Sequence, residues 1–232
     1  MNRRYAWIIV ALVVIPLAGC GNDTVDRAKD KKSSSKTAET PGHDLEDGAN
    51  PYEPGSLVGE SVEDFPDTNL VNEQGEPVSF ETLPDSPVLM SFIYTRCPMP
   101  KMCPLITYKM RQVQKRLNRS GNRPVHFVSV TFDPTYDTPA VLRRYGNKRN
   151  VDYANWDFWT GPAETIRSLT VDFKIFAKKP PKKPKQGKKF SISHNMRTYL
   201  IDENRRVRYW YRGSEWKISD VTRRLKQMVS NN

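Results

Sequence analysis

The sequence predicts a single α/β domain, a sheet with helices packed on its faces, and three observations predict it. Val88 to Tyr94 is a nearly continuous apolar run, the pattern of a central strand covered on both sides, and Val125 to Phe132 reads as the next strand, with His126 alternating within it. Between and after them, apolar residues recur at helical spacing: Ile106, Met110, Val113 and Leu117 mark one helix face, and Ile218, Val221, Leu225 and Met228 another. Strand and helix signals alternate along the chain, which implies helices layered on a sheet.

The remaining elements follow in order. Asn69 to Phe80 holds two short apolar pieces, Leu70-Val71 and Pro77-Val78-Ser79-Phe80, around Asn72-Glu73-Gln74-Gly75, which predicts a hairpin. Pro104 suits the first turn of the helix that follows the first long strand. Asp133-Pro134 ends the second long strand. Thr138-Pro139 is a cap and first residue for a helix over Ala140 to Tyr145. Trp156 to Thr160 reads as a short strand and Ala163 to Thr170 as a short helix. Arg197 to Asp202 and Arg206 to Tyr211 read as two strands joined around Glu203-Asn204-Arg205, before the last helix. Two late strands paired antiparallel and followed by a helix suit the thioredoxin class, here with an N-terminal hairpin extension.

The N-terminal segment reads as an export signal. Asn2-Arg3-Arg4 gives a positive start, Ala6 to Ala18 is apolar apart from Pro16, and Leu17-Ala18-Gly19-Cys20 ends the run. It is shorter than the roughly 20 apolar residues of a comfortable bilayer span. Leu-Ala-Gly-Cys resembles a bacterial lipobox, in which the cysteine is lipidated, and so makes Cys20 the candidate anchor to a membrane; the alternatives are an ordinary cleaved signal or an uncleaved helix. The expected organisation is a signal over 1–19, a polar tether over 20–55 and the folded domain over 56–232, outside the cytoplasm in a bacterial cell envelope. The tether is too polar to bury a core. Its His43 reads as solvated, and His126 as an ordinary strand residue.

Net charge is +11. A basic balance fits nucleic acid, an anionic membrane surface or an acidic protein partner. With no zinc-finger pattern, no RNA-recognition motif and no phosphate-binding glycine loop, nucleic acid is not expected. Lys178 to Lys189 holds seven lysines and three prolines and no acid. It reads as a solvated, polyproline-like insertion, or as a contact surface for an acidic partner or anionic lipid.

With Cys20 assigned to the anchor, two thiols remain, in Tyr94-Thr95-Arg96-Cys97-Pro98-Met99-Pro100-Lys101-Met102-Cys103-Pro104. An exported thiol pair can form a disulfide or hold a metal. The helix N-terminus favours a thiolate near Cys103, and Arg96 and Lys101 add positive charge. His194, in a loop before the strand Arg197 to Asp202, is the candidate nitrogen donor. Two thiolates and an imidazole form a soft set suited to Cu(I) and able to accept Cu(II), whereas zinc usually takes a fourth ligand. A structural disulfide and a surface histidine are the plainer alternatives.

Ser91-Phe92-Ile93-Tyr94-Thr95-Arg96-Cys97-Pro98 with Cys103-Pro104 resembles the first signature of the Sco/SenC family. Val128-Ser129-Val130-Thr131-Phe132-Asp133-Pro134-Thr135-Tyr136-Asp137-Thr138-Pro139 is similar to the second, and Ser193-His194 followed by Thr198-Tyr199-Leu200-Ile201-Asp202 to the third. The resemblance covers about Leu57 to Val229. It implies a thioredoxin fold, copper bound by Cys97, Cys103 and His194, and a partner that is a copper-containing oxidase subunit or its assembly factor, served by copper delivery or by reduction of its cysteines. Asp133 and Asp137 match the second signature and read as structural, Asp133 at the turn and Asp137 near a helix start. The family's usual thiol pair has three residues between the cysteines; here five intervene, which puts sulfur separation, copper affinity and redox potential in question. Two further functions stay open: a thiol-disulfide oxidoreductase without a metal, using Cys97 to attack and Cys103 to resolve, and an exported binding module with a structural disulfide.

Overall fold

A computed structural model describes residues 57–230 apart from 66, 68, 121–123 and 181–189. Cys20, His43, the signal, the tether and most of the lysine run therefore lie outside the described residues.

Five strands form the central sheet: β3 (Val88–Ile93), β4 (His126–Thr131), β5 (Trp156–Trp159), β8 (Arg197–Ile201) and β9 (Val207–Arg212), in the order β5-β4-β3-β8-β9. β3, β4 and β5 run parallel, while β8 pairs antiparallel with both β3 and β9. The helices are α1 (Cys103–Leu117), α2 (Pro139–Asn147), α3 (Ala163–Asp172) and α4 (Ile218–Ser230). This is the thioredoxin-like arrangement the sequence predicts. Two short ribbons complete it. One is the predicted hairpin, β1 (Leu70–Val71) with β2 (Pro77–Val78); the other, β6 (Ala177–Lys178) with β7 (Ser193–His194), has no periodic signal in the sequence.

Every residue of β3 and β4 is buried, and alternation along the strand sends successive side chains to opposite layers. Ser91 meets Met110 of α1, whereas Phe92 packs on Phe173 just beyond α3. Phe173 gathers Phe65, Phe80, Phe92 and Tyr199 around itself, with ring centroids 4.9–5.8 Å apart. On the other layer α1 packs against α4, and Tyr145 of α2 meets Phe158 of β5. Among the described residues no helix is long and apolar enough to cross a membrane.

The predicted hairpin covers the free edge of β5. Val71 and Thr160 exchange both backbone hydrogen bonds, at 2.8 and 2.9 Å. The buried Glu73 carboxylate accepts from Phe158 N–H at 2.9 Å, and Arg143 stands 3.8 Å from its other oxygen. An exposed strand edge that would otherwise invite pairing is thereby closed. The connection around Glu203-Asn204-Arg205 is more than a turn. Arg205, at φ 59°, is buried and donates to the carbonyls of Phe80, Leu83, Pro84 and Glu203, which ties the N-terminal segment to the β8–β9 corner.

Helix starts sit close to the predicted ones. α1 begins at Cys103 with Pro104 in its first turn, and α2 begins at Pro139. Thr138 holds the N-cap position of α2 but makes no side-chain capping bond.

Candidate functional site

The parallel strands β3 and β4 end side by side, and the loop after β3 carries Cys97. Its backbone is fixed by the buried Asp137, which accepts from Thr95 N–H at 3.1 Å, from the Thr95 hydroxyl and from the Thr131 hydroxyl at 2.6 Å. Burial nonetheless raises the Asp137 carboxyl above its ordinary range. Asp137 is thus a brace between the cysteine loop and the end of β4, beyond the helix-start role read from sequence.

Cys103 opens α1 and is buried; Cys97 is half-buried, and both are free thiols. The first turn of α1 is anchored by Thr107, whose hydroxyl donates to Cys103 O at 3.0 Å and pairs with Tyr145 Oη at 2.9 Å. His194 comes from β7, 91 residues later in the chain, and its Nε2 lies 3.6 Å from Cys103 Sγ. His194 Nδ1 lies 2.9 Å from the carbonyl of Ile192. A carbonyl can only accept, so Nδ1 carries the proton and Nε2 presents its lone pair to the sulfur. The imidazole is also walled by Tyr94 (5.5 Å, edge-on) and Phe132 (4.8 Å).

The two thiols have opposite acidity. A hydrogen bond from Cys103 is the main influence that holds the Cys97 thiol down to about 5, with burial opposing and Tyr94 assisting as a second donor. The same hydrogen bond, then burial, push Cys103 up. This corrects the expectation that the helix N-terminus favours thiolate at Cys103. That residue does begin the helix, but it is enclosed beside a thiolate, and one negative charge excludes a second. Tyr94 accepts from Ile192 N–H at 3.2 Å, and burial raises its phenol to about 12, so it remains a donor toward Cys97. Sequence reasoning missed Tyr94 and Phe132; the one signal was their position at the ends of the two buried strands.

Arg96 is also corrected. It does not serve the thiols. Its guanidinium lies between the rings of Tyr136 (4.2 Å) and Phe190 (3.6 Å) and pairs with Asp133 at 2.8 Å. Lys179, one residue past β6, reaches the other oxygen of Asp133 at 2.7 Å and Thr135 Oγ1 at 3.1 Å. The fully buried Asp133 therefore bolts the cysteine loop to the ribbon that carries His194. The first two lysines of the basic run are correspondingly structural: Lys178 pairs with Ser193, and Lys179 holds Asp133. Asn195 adds to the ribbon by accepting from Phe176 N–H and donating to Lys174 O. His126 lies at the other end of β4, paired with Asp157 at 2.8 Å, and takes no part in this site.

The SCO1/SenC family model matches residues 62–230. The chain belongs to the SCO1/SenC family. Among relatives of this SCO1/SenC chain, the SCO1 protein homolog of Bacillus subtilis (strain 168) is 32% identical over 146 residues, 62% of this chain and 71% of that protein. The solved structure of BsSco, described as a member of the Sco family of cytochrome c oxidase assembly proteins with a disulfide switch, is 27% identical. It has a TM-score of 0.58 and covers 76% of this chain and 98% of its own. The copper-bound ScoI of Bradyrhizobium japonicum is 23% identical, with a TM-score of 0.59, over 74% of this chain and 99% of its own.

Among the described residues, no three His, Cys, Asp or Glu side chains stand together as a ready-made metal cage. What this SCO1/SenC chain has is two thiols and an imidazole gathered at one place, with His194 Nε2 3.6 Å from Cys103 Sγ and each thiol shifting the other's acidity. One of its separations suits a metal. Ligands at about 2.3 Å (sulfur) and about 2.0 Å (nitrogen), subtending tetrahedral to trigonal angles, lie about 3.5–3.7 Å apart. The Cys103–His194 separation of 3.6 Å is one edge of such a figure.

Proposed function

We propose that this chain binds copper through Cys97, Cys103 and His194 and delivers it to, or reduces the cysteines of, the copper centre of a respiratory cytochrome oxidase. The observation that carries this reading is the imidazole Nε2 3.6 Å from the Cys103 sulfur, with Nδ1 turned to the Ile192 carbonyl. Two thiolates and a neutral imidazole are soft and borderline donors, the set that accepts Cu(I) and Cu(II). The copper-bound relative and the oxidase-assembly relative support the same reading. The chain does this work outside the cytoplasm, tethered to a membrane by a lipid on Cys20, a reading that rests on the Leu-Ala-Gly-Cys sequence after an apolar run.

A second activity is favoured by the unequal thiols. Cys97 is the accessible thiolate and Cys103 the enclosed thiol, which suits attack and resolution. Cys97 would break a partner's disulfide and form a mixed disulfide. Cys103 would then displace the partner's second thiolate, leaving the partner reduced by two electrons and this pair oxidised. An external dithiol must restore it.

The test is to titrate the reduced full chain with Cu(I) and, separately, Cu(II), followed by metal analysis, ultraviolet-visible absorption and EPR. One copper per chain is expected, lost on Cys97→Ser, Cys103→Ser or His194→Ala. Absence of stoichiometric binding in either oxidation state overturns the copper reading. Disulfide reduction that survives His194→Ala but not Cys97→Ser would then identify the second activity as the function.

A further inference from the structure

The cysteine loop holds a donor that neither the thiol pair nor His194 accounts for. Met99 is half exposed, at 50%, beside a site otherwise lined by buried or half-buried side chains. A single exposed apolar side chain is ordinary, as Tyr108, Val171 and Phe176 show, but here the exposure leaves a thioether open to an incoming partner. The loop itself keeps it there. Pro98 and Pro100 flank Met99 and restrict the backbone on both sides. Met102 N–H donates to Met99 O at 3.1 Å, which curls the loop back toward α1. The same carbonyl lies 3.8 Å from Cys97 Sγ, so the backbone of residue 99 runs beside the more accessible of the two thiols.

We propose that Met99 is the entry ligand of this site: its thioether takes Cu(I) from an incoming donor and passes it to Cys97. This rests on the copper reading above and adds the route by which the metal arrives. The chemistry fits the position. A thioether is soft, uncharged and selective for Cu(I) over harder ions. Methionine has a flexible, unbranched side chain, so Sδ sweeps a wide arc from a fixed backbone. It also binds more weakly than a thiolate, so it captures without retaining. The step is a ligand exchange with no change of oxidation state. A bond from Met99 Sδ to Cu(I) forms as the donor's bond breaks, and is itself replaced by the bond from Cys97 Sγ. Met102, half-buried at the foot of α1, serves as the internal comparison.

The experiment presents Cu(I), held by a chromogenic chelator in anaerobic buffer, to the reduced full chain and follows release of the chelator by stopped flow. Equilibrium affinity is measured by competition with the same chelator. Met99→Leu keeps the size and apolarity of the side chain and removes the sulfur. It should slow capture about tenfold, while the Cu(I) affinity and the Cu(II) absorption spectrum stay those of the unaltered chain. Met102→Leu should capture at the unaltered rate. Equal rates for Met99→Leu and the unaltered chain overturn the proposal, as does equal slowing by Met102→Leu. If the unaltered chain itself takes up no Cu(I), the copper reading fails and this inference fails with it, a result distinct from uptake that ignores Met99.

Discussion

Asp133→Asn is the most direct test of how the two halves of the site are held together. The substitution keeps the side chain's shape and removes its charge. Asp133 is wholly buried and accepts from Arg96 at 2.8 Å and Lys179 at 2.7 Å, one cation from the cysteine loop and one from the residue just past β6 of the histidine ribbon. A hydrogen bond to a charged group contributes about 1.5–3 kcal/mol. Arg96 and Lys179 keep 32% and 43% of their side chains exposed, and water recovers part of each interaction once the carboxylate is gone. Taking the lower figure for each gives a loss of roughly 3 kcal/mol. Urea unfolding followed by tryptophan fluorescence reads this directly as a lower midpoint at unchanged slope. Faster amide exchange at Asn195, whose N–H bonds Phe176 O at 3.2 Å, would show the ribbon loosening with it. A loss under about 0.5 kcal/mol, within the usual range for a surface change, would refute the idea that Asp133 joins the two segments.

Three further outcomes are expected. With the Cys97 thiol held to about 5, iodoacetamide should alkylate Cys97 in the reduced chain at a rate that is flat near neutrality and falls as pH drops through that value; Cys103 should react about tenfold more slowly, and equal rates by mass spectrometry would contradict the assignment. Burial raises the Glu73 carboxyl above its ordinary 4.5, so the folded chain holds that proton more tightly than the unfolded one. The resulting stabilisation is complete below the ordinary value and is lost as pH rises through the folded value. Glu73→Gln, which can still accept from Phe158 N–H, should flatten that decline in urea midpoints from about pH 4.5 upward, and an unchanged slope would contradict it. Arg205→Ala leaves four carbonyls without their donor and should cost about 3 kcal/mol or more in chemical unfolding. Arg205→Lys should recover little of it, because an ammonium lacks the planar fork that reaches them together.

Much of this architecture was legible in advance. The all-buried β3 appeared as a nearly continuous apolar run, β4 as an apolar run interrupted by His126, Ser129 and Thr131, and α1 and α4 as apolar stripes, because burial favours apolar residues. Element ends differed by a few residues: α1 starts at Cys103 rather than Leu105, and α3 continues to Asp172. The β6–β7 ribbon escaped notice because its four residues, Ala177-Lys178 and Ser193-His194, are exposed or half-buried and show no alternation of apolar and polar character. Arg205 read as a turn residue because nothing local shows that a cation 120 positions from Asp85 turns inward among the carbonyls of another segment.

The residues of this chain, taken alone, determine that two thiols stand between a buried strand and a helix, and that a thioredoxin-like α/β layer presents them. Only the folded chain decides which of those thiols is the thiolate, that Arg96 faces Asp133 instead of sulfur, and that His194 arrives from 91 positions away with its lone pair directed at Cys103. Periodicity records how deeply each position is buried. Acidity and ligand geometry depend on which distant groups stand within a few ångströms of one another, and that distance exists only once the sheet has brought the ends of β3 and β4 beneath the β6–β7 ribbon.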